Sequence, residues 1–221
     1  MAEGVLMAIF IDSARPEEAR QAFGLGFVAG VTTNPKLLSQ ESGEPLELIR
    51  ELCSISPGPV FYQLAAPTVA EREQEALRFQ RLAPVKLVMK IPCTTENLAL
   101  LARLTRERQM SCAATALFSA AQGYLACEAG ARYLIPYVNR ITVRGGDGPG
   151  FVGRLAEVSR SCGKGAEVLA ASLKTPDEVV AAVVAGARHV TLPLGTIKAL
   201  GEDPRSLEAI EEFSACVQKK A

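Results

Sequence analysis

The feature that most restricts how this chain can fold is a regular alternation of short, β-rich apolar runs with longer segments of helical periodicity. Eight such runs can be counted, at residues 7–11, 27–31, 60–64, 85–91, 111–114, 132–138, 167–171 and 189–192. Parallel strands need long crossover connections, and a helix between successive strands supplies them. The intervening segments open on helix-start signals: Ala65-Ala66-Pro67-Thr68, Thr94-Thr95-Glu96-Asn97 and Lys174-Thr175-Pro176-Asp177-Glu178. Eight βα units in 221 residues, without linker, repeat or low-complexity tract, predict one α/β domain over 1–221, a single (β/α)8 TIM barrel. A doubly wound open sheet is the alternative, because counting strands does not establish closure. Residues 203–217 predict an additional C-terminal helix, with Pro204 at its start and an apolar stripe through Leu207, Ile210, Phe213 and Val217. Packing on its own barrel is the simpler reading of that stripe; an arm docked on a neighbouring subunit is the other.

Composition excludes several function classes. Lys and Arg total 24 and Asp and Glu total 24, so no net charge draws the chain to nucleic acid or an anionic membrane. Small molecules and copies of the chain itself are the expected partners. The N-terminal residues lack a basic region and soon meet Asp12, unlike a signal peptide, and no run approaches the roughly 20 apolar residues of a membrane span. Cys53, Cys93, Cys112, Cys127, Cys162 and Cys216 form no Cys-x-x-Cys pair, which fits a reducing, cytoplasmic setting. His189 is the only histidine. A multi-histidine metal site is therefore not expected, and a Ser-His-Asp hydrolase lacks its Gly-x-Ser-x-Gly elbow. His189 opens the last strand, at the end away from the expected site, and reads as structural.

In a barrel, reactive groups project from the C-terminal ends of strands, and side chains alternate inward and outward. Placing Lys90 inward takes Val88 with it and turns the apolar Leu87, Met89 and Ile91 toward the helices. An amine so enclosed is desolvated, which favours its neutral, nucleophilic form; snorkelling to solvent is the alternative. The same parity groups Ala8, Phe10 and Asp12, then Phe61 and Gln63, then Ala113 and Thr115. Asp12, Gln63, Lys90 and Thr115 are thus expected at one mouth. A carboxylate ending an apolar strand must be paired, hydrogen-bonded or catalytic, or else cap the helix that begins near Pro16. Tyr137 offers an acid/base phenol and Arg140 a grip for phosphate. Gly145, Gly146 and Gly148 would allow close backbone approach to a ligand, and Ser172 and Lys174 lie near a helix start that favours anions.

Six motifs stand in order along the chain: Phe10-Ile11-Asp12-Ser13, Gly30-Val31-Thr32-Thr33-Asn34-Pro35, Val88-Met89-Lys90-Ile91-Pro92, Thr115 through Gln122-Gly123, Pro136-Tyr137-Val138-Asn139-Arg140 and Leu169-Ala170-Ala171-Ser172-Leu173-Lys174. Together they resemble the short transaldolase and fructose-6-phosphate aldolase family over essentially the whole chain. The resemblance implies that Lys90 is the Schiff-base lysine and Asp12 the strand-one carboxylate of the proton relay. It puts Gln63 and Thr115 on the catalytic water, Thr32 and Asn34 on the substrate, and Arg140 and Ser172 on its phosphate. It implies sugar-phosphate substrates, no metal or organic cofactor, and homo-oligomers, pentamers that pair into decamers, with the C-terminal helix reaching across a subunit boundary. Transaldolases carry glutamate at the position of Gln63 and phenylalanine at that of Tyr137, whereas the aldolase branch carries glutamine and tyrosine. The expected reaction is reversible cleavage of fructose 6-phosphate-like ketoses to dihydroxyacetone and glyceraldehyde 3-phosphate. The alternatives are a transaldolase and a non-catalytic sugar-phosphate-binding barrel. Ile135 shares the face of Tyr137, where the aldolase branch has alanine, and should narrow the pocket.

Overall fold

The apolar runs build eight parallel strands, most of them buried on both faces: β1 (Ala8–Asp12), β2 (Val28–Thr32), β3 (Val60–Gln63), β4 (Leu87–Pro92), β5 (Ser111–Leu117), β6 (Tyr133–Pro136), β7 (Glu167–Ala170) and β8 (His189–Leu192). The computed structural model describes residues 7–218, with side chains through Cys216. The N-terminal reading of residues 1–6 and the place of Val217 in the apolar stripe lie outside the described residues. Each strand pairs in parallel with its successor, and β8 pairs with β1, so the sheet is a closed barrel and not an open one.

Helices cover the outside. They are α1 (Pro16–Gly24), α2 (Pro35–Leu38), α3 (Pro45–Ile55), α4 (Val69–Gln80), α5 (Thr95–Arg108), α6 (Ala120–Ala129), α7 (Val138–Thr142), α8 (Gly148–Cys162), α9 (Pro176–Val184), α10 (Leu194–Ala199) and α11 (Pro204–Gln218). The three start signals cap as expected, the hydroxyls of Thr68, Thr94 and Thr175 accepting from the backbone N–H of Glu71, Asn97 and Glu178. Leu87, Met89 and Ile91 pack in the outer core against the helices. Val88 belongs to a second cluster inside the barrel, with Phe10, Phe61, Ala113, Tyr133, Ile135 and Leu169. Phe10, Phe61, Tyr133 and His189 pack edge to face at centroid distances of 5.0–5.7 Å and plug the interior below the mouth. His189 is structural: its Nδ1 accepts from the Ala8 N–H, and Nε2 lies 3.0 Å from Glu167.

Several expected boundaries shift for identifiable reasons. The fourth strand starts at Leu87 and not at Val85, which is 97% exposed, because Lys86 Nζ donates to the Cys53 and Ser56 carbonyls and holds the preceding residues in a turn. Phe27 is exposed ahead of β2. The fifth strand runs past Ala114 to Leu117, with a register shift between Thr115 and Leu117 where Ala116 takes φ 57°. The sixth ends at Pro136; Tyr137 keeps one bridge to Ala171, and Val138 already belongs to α7.

Helix α11 does not bury its stripe on its own barrel. Leu207, Ile210 and Phe213 are 59%, 58% and 69% exposed, which overturns the simpler of the two readings. Two of the loop glycines serve the turn itself. An added Cβ at Gly146 would meet Ile141, and one at Gly148 would meet Thr142 and the Val138 carbonyl, so they let α7 and α8 turn tightly against each other.

Gly30 is where β1, β2 and the turn before β3 come closest. A Cβ there would lie 2.3 Å from the Pro59 carbonyl oxygen and 3.1 Å from the Phe10 ring. Gly30→Ala is expected to destabilise the barrel by about 1–3 kcal/mol, read as a lower urea midpoint at unchanged slope.

Candidate active site

The inward parity of the strands carries a ring of polar groups to the C-terminal end of the barrel. Asp12, Thr32 and Gln63 end β1, β2 and β3; Lys90 and Thr115 lie near the ends of β4 and β5; Tyr137 and Ser172 follow β6 and β7. Gln63 pairs in register with Lys90, and Lys90 with Ala113.

Lys90 is 4% exposed, and its Nζ donates to the Thr33 carbonyl at 2.8 Å. It does not snorkel. Burial lowers the amine from its ordinary 10.5 to about 8, with the Asp12 carboxylate pulling the other way. Asp12 caps no helix. Ser13 Oγ makes the turn there, accepting from the Arg15 N–H and donating to Glu18, while Asp12 Oδ1 accepts from the Thr32 hydroxyl at 2.8 Å. Thr32 is fully buried, and its Oγ1 is 2.6 Å from that of Thr191, which places it behind Asp12.

Across the mouth, the Thr115 hydroxyl donates to the Tyr137 phenol oxygen at 3.3 Å. Arg140 is exposed and stacks over the Tyr137 ring, 4.6 Å from its centroid, so phenol and guanidinium share one wall. Phe118 packs edge-on against the same ring. Gln63 Oε1 is buried without a protein partner. Asn34 caps α2, its Oδ1 accepting from the Leu37 N–H, which leaves its amide N–H groups to donate elsewhere. Ser172 holds φ 60°, and Lys174 is exposed, with its backbone N–H on Glu178. Ile135 is fully buried in the interior cluster against which Tyr137 packs. Cys93 is kept a thiol, because burial pushes it up to about 11. Among the described residues no three His, Cys, Asp or Glu side chains gather in a set that could hold a metal ion.

Three residues that support the mouth went unnoticed in the sequence. Glu75 accepts from the Ala65 and Ala66 N–H groups and the Tyr62 hydroxyl. Gln122 accepts from the Phe118 and Ser119 N–H groups, and Glu178 from the Lys174 N–H and the Asn139 amide. Each fixes the loop after a strand from the helix that follows it. For Gln122 and Glu178 the signal was present, since both stand three residues after a capping hydroxyl. Thr191 was also legible, lying two residues beyond the inward His189.

The buried amine has a consequence for stability. The unfolded chain binds more protons than the folded one between about pH 8 and 10.5, so stability rises with pH across that window. Below it, holding the charged amine in the barrel costs on the order of 3 kcal/mol. Lys90→Met is expected to be more stable than the parent at pH 7, with the difference vanishing above pH 10.5, as measured by urea unfolding.

The same polar ring lies within a region of known relatives. The family described as transaldolase/fructose-6-phosphate aldolase matches residues 9–221. A probable transaldolase of Desulforapulum autotrophicum is 35% identical over 97% of this chain and 99% of its own. One from Syntrophomonas wolfei is 36% identical over 94% and 96%, and one from Bacillus cereus 34% over 96% and 98%. With a closed eight-stranded barrel and a family match over nearly its whole length, the chain belongs to the transaldolase/fructose-6-phosphate aldolase family.

Proposed function

We propose that the protein is a class I aldolase that reversibly cleaves fructose 6-phosphate-like ketoses to dihydroxyacetone and glyceraldehyde 3-phosphate through an imine on Lys90. The observation that carries this reading is a buried lysine, brought down to about 8, at the catalytic end of a barrel. Neutral Lys90 adds to the C2 ketone, and the carbinolamine loses water with a proton given by Tyr137, which leaves an iminium and the Tyr137 phenolate. As the C3–C4 bond breaks, its electron pair enters the iminium and the C4 hydroxyl gives up its proton. Tyr137 takes that proton through a water held by Thr115 and the unpartnered Gln63 Oε1. Protonation and hydrolysis of the remaining enamine release dihydroxyacetone and free the amine. Arg140, Ser172 and Asn34 are read as substrate groups, Arg140 and Ser172 on the phosphate and Asn34 through its free amide N–H. Ile135, at the floor beside Tyr137, limits the size of the donor.

The relatives are probable transaldolases, which favours a transferase, in which dihydroxyacetone stays on Lys90 until an aldose arrives. Gln63 and Tyr137 favour the aldolase, because an amide positions water but does not exchange a proton, leaving the phenol as acid/base group. Borohydride reduction with fructose 6-phosphate should add mass to the peptide containing Lys90 and none in Lys90→Ala. Free dihydroxyacetone should appear without an aldose acceptor. A label on Lys90 whose release requires erythrose 4-phosphate would make the protein a transaldolase, and no label would remove the imine altogether.

The stripe on α11 is read as an arm that covers a second copy of the chain, within a homo-oligomer. Ile210→Glu and Phe213→Glu are expected to lower the mass in sedimentation equilibrium while leaving helix content unchanged.

A further inference from the structure

The hydroxyl of Thr32 has one hydrogen, and it is committed to Asp12 Oδ1 at 2.8 Å. The 2.6 Å contact between Thr32 Oγ1 and Thr191 Oγ1 is therefore directional: Thr191 donates and Thr32 accepts. The two hydroxyls and the carboxylate form a relay from β8 through β2 to β1. Both threonines are essentially buried, at 0% and 3% exposure, so water does not substitute for either partner. Hydrogen bonds in series polarise one another in a low dielectric, and each fixes the rotamer of the next. At the far end stands Asp12, the carboxylate whose charge acts on the Lys90 amine. The group on Asp12 from β2 is the Thr32 hydroxyl, backed from β8 by that of Thr191, and the charged group near it from β4 is Lys90.

We propose that Thr191 is a positioning residue of the Lys90 site, which through Thr32 fixes where the Asp12 carboxylate stands relative to the amine. The inference rests on Lys90 being the working amine but not on the sugar it attacks. Its test therefore uses a probe that needs no substrate. Cyanate carbamylates neutral amines, and peptide mass spectrometry reads the rate at Lys90 as a function of pH.

Asp12 raises the amine, so loosening its position should let burial lower the amine further. Thr191→Val is expected to move the half-maximal pH of Lys90 carbamylation down by roughly half a unit from the parent value. Thr191→Ser, which keeps the hydroxyl, should leave it in place. Thr32→Val should lower it by at least as much, and Thr191→Val should add nothing in that background, because the effect passes through Thr32. Thermal unfolding checks the fold of each variant, and Thr191→Ala takes the place of Thr191→Val if the latter does not fold. Equal profiles for the valine and serine variants, a shift upward, or shifts that add in the double variant would each reduce Thr191 to packing and overturn the proposal. A missing imine with fructose 6-phosphate, beside the expected carbamylation shifts, would instead count against the proposed reaction and leave the relay standing.

Discussion

β8 lies against β1 from Ala8↔His189 to Ile11↔Leu192, and that ladder joins the two ends of the described sheet. In an open sheet these strands would be distant edges, each with unpaired backbone groups. Closure does more than satisfy them. It sets Thr191 beside Thr32 and brings His189 onto the Ala8 N–H, so the mouth and the floor of the barrel are both tied across the same seam. The interior then has to be filled from within. Phe10, Phe61, Tyr133 and His189 meet edge to face inside the barrel, and Lys90 is buried and desolvated toward the C-terminal end of the same interior.

The mouth is held in a conformation that the chain would not choose locally. Among the described residues three non-glycine residues have positive φ, and two of them lie at the mouth, Ala116 in the bulge near the end of β5 and Ser172 just past the end of β7. Such backbone conformations cost about 1–3 kcal/mol each and persist only where neighbours enforce them. The enforcement here is visible in Gln122 and Glu178, which take up the N–H groups of the loops after those strands. Glu75 does the same after β3. Buried amine, strained turns and helix-borne clamps form one arrangement, in which strand ends supply the reactive groups and the following helices hold them still.

Period-two parity and capping chemistry made much of this readable from the sequence. Lys90 could be turned inward because Leu87, Met89 and Ile91 needed the outer face, and the same rule gathered Asp12, Gln63 and Thr115. Strand starts were less legible, since apolar residues such as Val85 and Phe27 extend the pattern ahead of the point where the ladder begins. What delayed the start of β4 was Lys86, whose amine reaches carbonyls 33 and 30 residues away, a contact without local trace. The bulge at Ala116 was hidden for a related reason: alanine carries no signal for a left-handed conformation imposed by tertiary structure. The amphipathic stripe of α11 marked a surface in need of cover but could not say whose.

Gln63 shows how one neutral side chain changes the balance at the site. It stands directly across the β3–β4 ladder from Lys90, so a charge at that position would bear on the amine at close range. A carboxylate there would join Asp12 in favouring the ammonium, and two acids would work against burial. An amide adds no such field. Desolvation then remains the largest influence on Lys90, with Asp12 as a moderating partner, and the amine is held near the pH at which it can act as a nucleophile. A barrel with an acid at that position would have its proton-exchanging group beside the lysine. In the reaction proposed above that capacity lies instead with Tyr137, hydrogen-bonded to Thr115 and stacked beneath Arg140. On that proposal nucleophile and proton carrier stand on different strands, so the burial of the lysine can be set without altering the solvent access of the phenol.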